Sequence, residues 1–127
     1  MSPYYITIAT CLILGIGHVG WGIAHPVKAM KASHAEPVVA ASYHACWYHI
    51  SIIFLATAGY LLWHLMVAPI AVEPLVLLWG LIFACYLTYW GTLIAYPKLW
   101  PIAWGQMVVI PILLVSFGFG LYVDFYA

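Results

Sequence analysis

Six histidines and a few cysteines are the residues of this sequence that could do chemistry. His18 lies in the first apolar stretch, and His44, Cys46 and His49 lie close together near the start of the second. Ionisable side chains are expensive at membrane depth, so such a cluster is a candidate functional site by default. Imidazole and thiolate groups bind transition metals and haem iron. The sequence therefore predicts a cofactor-binding site near these residues.

His18 and His49 are the predicted pair of ligands. The first two apolar stretches run antiparallel from a shared loop, and a helical rise of 1.5 Å per residue puts His18 about 12 Å and His49 about 15 Å from the same end. Two neutral imidazoles at matched depth suit a six-coordinate haem b, with the porphyrin between the helices and aromatic side chains around it. We expect those side chains to be Trp47, Tyr48, Tyr89 and Trp90.

His25 and His44 form a second candidate pair, nearer the same membrane surface. His44 and His49 lie about 140° apart on a helical wheel, so both cannot face one bundle axis. Copper is the alternative cofactor, because Cys46 with His18 and His49 would offer the soft thiolate and imidazole ligands that suit Cu(I). The sequence contains no HExxH motif, which argues against zinc hydrolysis.

The histidines also have a purely structural interpretation. A buried imidazole can hydrogen-bond to a backbone carbonyl, to a tyrosine hydroxyl, or to Ser51 or Thr57 on the neighbouring helix. Such polar pairs hold membrane helices together by about 0.6 kcal/mol on average. Both interpretations of His18 and His49 stay open at the level of sequence.

The composition places the chain in a lipid bilayer. Of its 127 residues, 68% are hydrophobic and 5% are charged, against roughly 45 to 50% and 25% in soluble domains. Three basic residues in total exclude a nucleic-acid-binding surface, which needs clustered Lys and Arg. The bilayer is therefore the first predicted partner.

Four apolar stretches are long enough to cross a membrane. Prolines mark the breaks between them, and the predicted spans are residues 4–25, 39–67, 73–96 and 100–123. We therefore predict an all-α integral membrane protein with a single domain, residues 1–127, built as an antiparallel bundle of four transmembrane helices. Pro111 lies inside the fourth span and predicts a kink there.

The positive residues predict the orientation of the bundle. Lys28 and Lys31 lie between the first two spans, Lys98 lies between the last two, and the middle loop has only Glu73. Because positively charged loops stay in the cytoplasm, the N- and C-termini are expected on the non-cytoplasmic side.

The first span carries a stripe of small residues and histidines. Cys11, Gly15, His18, Gly22 and His25 recur at intervals of four, three, four and three, which puts them on one helical face. Small residues let helix backbones approach closely in a membrane, so we predict that this face packs inside the bundle.

The two halves of the chain show a weak similarity. Residues 23–26 echo residues 94–97, and residues 45–49 align with residues 102–106, so that Gln106 takes the place of His49. We interpret this similarity as a hypothesis of a duplicated two-helix unit.

Three functional hypotheses follow. The preferred one is electron transfer by a haem b or metal ion held between the first two helices. The second is an accessory subunit without catalytic activity, bound to other subunits of a membrane complex, because a short chain with small loops must gain specificity through lateral helix contacts. The third is a permeation protein, as a homo-oligomer, with the histidines as a proton relay.

Overall fold

Long helices account for most of the chain. The computed structural model describes residues 2–126, without the side chain of Ile102. The helices are α1 (Tyr4–Ala24), α2 (Pro26–Ala32), α3 (Pro37–Met66), α4 (Val72–Ala95), a 3₁₀ turn (Pro97–Leu99) and α5 (Trp100–Phe125). Four segments, α1 with α2, α3, α4 and most of α5, are long and apolar enough to cross a membrane. The predicted all-α membrane fold with four spanning helices is confirmed.

Prolines start several of these segments. Pro26 and Pro37 stand at the beginning of α2 and α3, and Pro101 stands in the first turn of α5. Proline is favoured there because the first helical N–H groups need no partner inside the helix. Each predicted span boundary lies within two residues of an observed helix end. The first connection differs, since most of it is the short helix α2 and not a loop.

The four long helices pack in a defined order. α3 packs against α1, α1 packs against α5, and α5 packs against α4. The first hairpin, α1 with α3, therefore joins the second hairpin, α4 with α5, through the contact between α1 and α5. That contact is antiparallel, because Thr7 near the start of α1 is hydrogen-bonded to Ser116 near the end of α5 at 2.9 Å.

Glycines of α1 bring α3 close. Cys11, Gly15 and Gly22 are buried, which confirms the predicted packing face over that length. A Cβ atom added to Gly15 would lie 2.7 Å from the Leu55 side chain, and one added to Gly22 would collide with the Trp47 indole. The face ends there, because His25 at the end of α1 is exposed.

Aromatic side chains join α4 to α5. Each of three residues on α4 donates a hydrogen bond to a backbone carbonyl of α5: Trp79 to Leu114 at 2.8 Å, Tyr86 to Met107 at 3.5 Å and Tyr89 to Ala103 at 3.2 Å. The second hairpin is therefore held in part by aromatic donors, and the first hairpin shares one such bond, from the Trp47 indole to the His18 carbonyl at 2.9 Å. Their duplication stays a hypothesis.

Pro111 leaves one of these carbonyls without its usual partner. Proline has no N–H, so the carbonyl four residues earlier, that of Met107, receives no bond from position 111. The Tyr86 hydroxyl reaches this Met107 carbonyl from α4. α5 continues as a helix through Pro111, and the contact from Tyr86 compensates for part of the lost hydrogen bonding.

Orientation in the membrane stays a prediction that labelling can check. Lys28 and Lys31 lie on α2 and Lys98 lies in the 3₁₀ turn, and the packing order places both segments at one end of the bundle, the lysine end. In cells, a membrane-impermeant maleimide added outside is expected to label Ser2→Cys and not Lys98→Cys. The wild-type chain, whose three cysteines all lie within helices, is the control for background. Labelling at position 98 alone would contradict the predicted orientation and indicate the opposite one.

Candidate functional site: a cavity between the two hairpins

His18 is held by α3. Its Nδ1 atom and the Ser51 hydroxyl are 2.9 Å apart, and its ring stacks on the Trp47 indole with centroids 4.1 Å apart and planes 3° from parallel. The Trp47 indole N–H also donates to the His18 carbonyl oxygen at 2.9 Å. The hydrogen bond to Ser51 on the neighbouring helix, which the structural interpretation of His18 expects, is therefore present.

His49 lies on another side of α3. It is exposed, and it stands two residues before Ser51, about 160° away around the helix. Since Ser51 faces His18, the His49 side chain points away from α1. A porphyrin between α1 and α3 would need Leu55 and Trp47 to leave the glycines that they cover. Haem ligation by His18 and His49 stays a prediction, and it requires a different arrangement of these two helices.

The other predicted ligands lie apart as well. His25 packs near Trp21 with ring centroids 5.4 Å apart, and His44 packs near Tyr48 at 4.8 Å. Cys46 is exposed. Within the part of the chain that the structure describes, no three His, Cys, Asp or Glu side chains come together as metal ligands. Copper binding through Cys46, His18 and His49 therefore has no preformed cluster to support it.

His64 has a partner that sequence reasoning missed. Its Nδ1 atom accepts a hydrogen bond from the Ile70 backbone N–H at 2.9 Å, so the ring proton is on Nε2, which donates to Asp124 at 3.0 Å. These bonds tie the end of α3 to the following loop and to the end of α5. A signal for this contact was present in the sequence, because the antiparallel order of the spans places His64 and Asp124 at the same end of the bundle.

A cavity of about 750 Å³ opens between the two hairpins at the lysine end. Aromatic side chains form much of its wall. Trp21, Tyr43 and Trp47 contribute from the first hairpin, Tyr89 contributes from α4, and Tyr96 contributes from the residue that follows α4. Of the aromatic residues that we expected around a cofactor, Trp47 and Tyr89 therefore line this cavity.

The lining is uncharged. Among the described side chains that line the cavity, none is acidic or basic, and none is histidine, cysteine or methionine. Tyr89 and Trp47 use their donors on backbone carbonyls. Tyr43 and Gln106 line the cavity too, and no hydrogen bond joins their side chains to another described residue. The Trp21 indole N–H and the Tyr96 hydroxyl line the cavity without such a bond as well. These four side chains are the polar groups that a bound molecule could use.

α5 contributes small side chains and one amide to the wall. Ala103, Gly105 and Gln106 line the cavity, and a Cβ atom added to Gly105 would meet no other atom within 4 Å. In the sequence, Gln106 was notable only as the counterpart of His49 in the second half of the chain.

A search against protein-family models, curated proteins and solved structures gives no match to this chain.

Proposed function

We propose that this protein binds an uncharged, lipophilic small molecule in the cavity between its two hairpins. The cavity is the observation that supports this proposal. Small-molecule sites in proteins are concave, about 300 to 1,000 Å³ in volume, and lined by hydrophobic and aromatic side chains with a few placed polar groups. The cavity of about 750 Å³ with its aromatic wall fits that description.

The position of the cavity supports a ligand that travels in the bilayer. Residues of both hairpins line it, so a bound molecule would contact α1, α3, α4 and α5 together. All four helices belong to segments that can span a membrane. We infer that a lipophilic molecule reaches the cavity from the lipid around these helices.

The lining chemistry favours this ligand over haem b. A six-coordinate haem b needs two axial ligands, and the described lining offers no histidine, cysteine or methionine. Binding through aromatic contact and hydrogen bonds needs no such ligand. Electron transfer through histidine-bound haem or copper stays a prediction, separate from the cavity.

Association with other subunits or with further copies of the chain stays a prediction as well, and so does permeation. One feature favours lateral contact with another helix. The exposed His49 imidazole lies near the middle of α3, and ionisable residues within spanning segments rarely face lipid. Ligand binding in the cavity is compatible with such an assembly.

Filling the cavity tests the proposal. The probe is N-phenyl-1-naphthylamine, an uncharged lipophilic fluorophore that accepts excitation energy from tryptophan. Trp21 and Trp47 line the cavity, so bound probe should show saturable energy transfer from the protein.

Gly105→Phe places a ring in the open space and is expected to weaken binding of the probe more than about tenfold, or 1.4 kcal/mol. Helix stability should not suffer, because phenylalanine is a better helix former than glycine.

Gly91→Phe is the matched control. Gly91 is also helical and also has open space around its Cβ position, but it is not among the residues that line the cavity. Its probe binding should equal that of the wild type. The proposal fails if the wild type shows no saturable energy transfer, or if Gly105→Phe and Gly91→Phe bind the probe equally well.

A further inference from the structure

We infer that the ligand of this cavity is a flat ring compound with carbonyl oxygens, of the quinone class. The inference rests on the proposed function and deepens it, because it names the chemistry of the ligand. Three features of the cavity lead to it: the arrangement of the aromatic wall, the type of polar groups without partners, and the absence of charge among the described lining residues.

The aromatic wall suits a planar ring. Trp47 is at the centre of a cluster on the first hairpin, with its ring centroid 5.7 Å from that of Trp21 and 6.1 Å from that of Tyr43. Tyr89 on α4 and Tyr96 directly after it line the same cavity from the second hairpin. Aromatic rings prefer offset-stacked or edge-to-face contacts at centroid distances of about 4.5 to 7 Å. A ring bound between the hairpins would find such contacts on both sides.

The polar groups suit carbonyl oxygens. The Tyr43 hydroxyl and the Gln106 amide can each donate a hydrogen bond, and they line the cavity from different hairpins. A donor that is buried under a ligand without an acceptor costs free energy. A ring with carbonyl groups would satisfy such donors, whereas a pure hydrocarbon would leave them unpaired.

The uncharged lining disfavours ionised ligands. A fatty-acid carboxylate or a phosphate buried in this cavity would have no cation among the described lining residues, and an unpaired buried charge is costly. Lipophilic cations can bind aromatic faces, but no carboxylate among those residues would neutralise them. The observations therefore favour a neutral ring with oxygen acceptors over both kinds of ion.

A matched pair of ligands isolates the carbonyl groups. The probes are 2,3-dimethyl-1,4-naphthoquinone and 2,3-dimethylnaphthalene, which share one planar carbon skeleton. The quinone has carbonyl groups where the hydrocarbon has two aromatic C–H groups. Methyl groups at both ring positions prevent addition of the free thiols of Cys46 and Cys85. Each probe is titrated against bound N-phenyl-1-naphthylamine in the full-length protein. We expect the quinone to displace the fluorophore at about tenfold lower concentration than the hydrocarbon.

Removing either donor should weaken this preference. Tyr43→Phe and Gln106→Leu keep most of the side-chain volume and remove the hydrogen bond, and each should reduce the ratio between the two probes by about twofold to tenfold. Thr92→Val is the control, because the Thr92 hydroxyl already bonds to the Thr88 carbonyl. Its ratio should stay at the wild-type value.

The outcomes separate the inference from the proposed function. Equal displacement by the two probes, an unchanged ratio in both donor variants, or stronger displacement by palmitate or tetraphenylphosphonium would overturn the quinone inference. The proposed function would still hold if Gly105→Phe blocks binding of the fluorophore. If the wild type binds none of these molecules, both fail.

Discussion

Gly22→Leu is expected to lower the free energy of unfolding in detergent by about 1 to 3 kcal/mol, the usual cost of forcing extra atoms into a packed interior. The backbone of α1 lies directly against the Trp47 indole at this point, and even a Cβ atom would collide with that ring. The indole cannot move freely, because its N–H is bonded to the His18 carbonyl and its face lies on the His18 ring. A leucine at position 22 therefore has to separate α1 from α3.

The measurement is a denaturation curve of the purified protein, followed by tryptophan fluorescence. Gly20→Leu is the matched control on the same helix, since its Cβ position has no atom within 4 Å, and its curve should remain near that of the wild type or shift to higher stability through helix propensity. If both leucine variants unfold at the same denaturant concentration, the close contact between Gly22 and Trp47 does not hold the first hairpin together.

The packing face of α1 was predictable because small residues at helical spacing have one clear use inside a membrane. The side chains that fill this face were not predictable in the same way. Leu55 and Trp47 cover Gly15 and Gly22. Trp47 was expected beside a cofactor, and nothing in the sequence assigns either side chain to a glycine of α1. The space beside the glycines is filled by the protein itself, where the sequence analysis had placed a porphyrin.

The His18 and His49 pair shows that helical geometry alone does not predict which side chains of two helices face each other. Helical rise gives the depth of each residue along its own helix, and both were placed at similar depth. Depth says nothing about the rotation of α3 about its axis, which is set by the packing of Trp47 and Ser51 against α1. His49 is therefore exposed.

The cavity was beyond sequence reasoning for a related reason. It forms where two hairpins meet, so no single segment carries its signal. Tyr89 was expected beside a cofactor, and its hydroxyl, like the donors of Trp79 and Tyr86, is bonded to a backbone carbonyl of α5. The partners of an aromatic donor on a membrane helix follow from tertiary packing, because its hydrogen bond is made with another helix.

The contact between α1 and α5 joins the two hairpins, and Phe117 is central to it. The Phe117 side chain is 0% exposed, and its ring meets the Tyr4 ring edge-on at 6.0 Å. Tyr4 itself is 0% exposed and packs over Gly120. Truncating Phe117 would leave an empty space that these neighbours cannot fill without moving.

Phe117→Ala is expected to lower the free energy of unfolding by about 2 kcal/mol, from a cavity on the order of 100 Å³ at about 24 cal/mol per Å³. The total cost should be smaller than the roughly 3 to 5 kcal/mol of soluble cores, because lipid or detergent around the separated helices is as apolar as the interior. Phe119, 56% exposed on the same helix, gives the control. The Phe119 side chain faces lipid or detergent in the folded protein and after unfolding. Phe119→Ala should therefore change the free energy of unfolding little. Equal losses in the two variants would mean that α5 does not present Phe117 to α1, and the two hairpins would then be held together by something other than this contact.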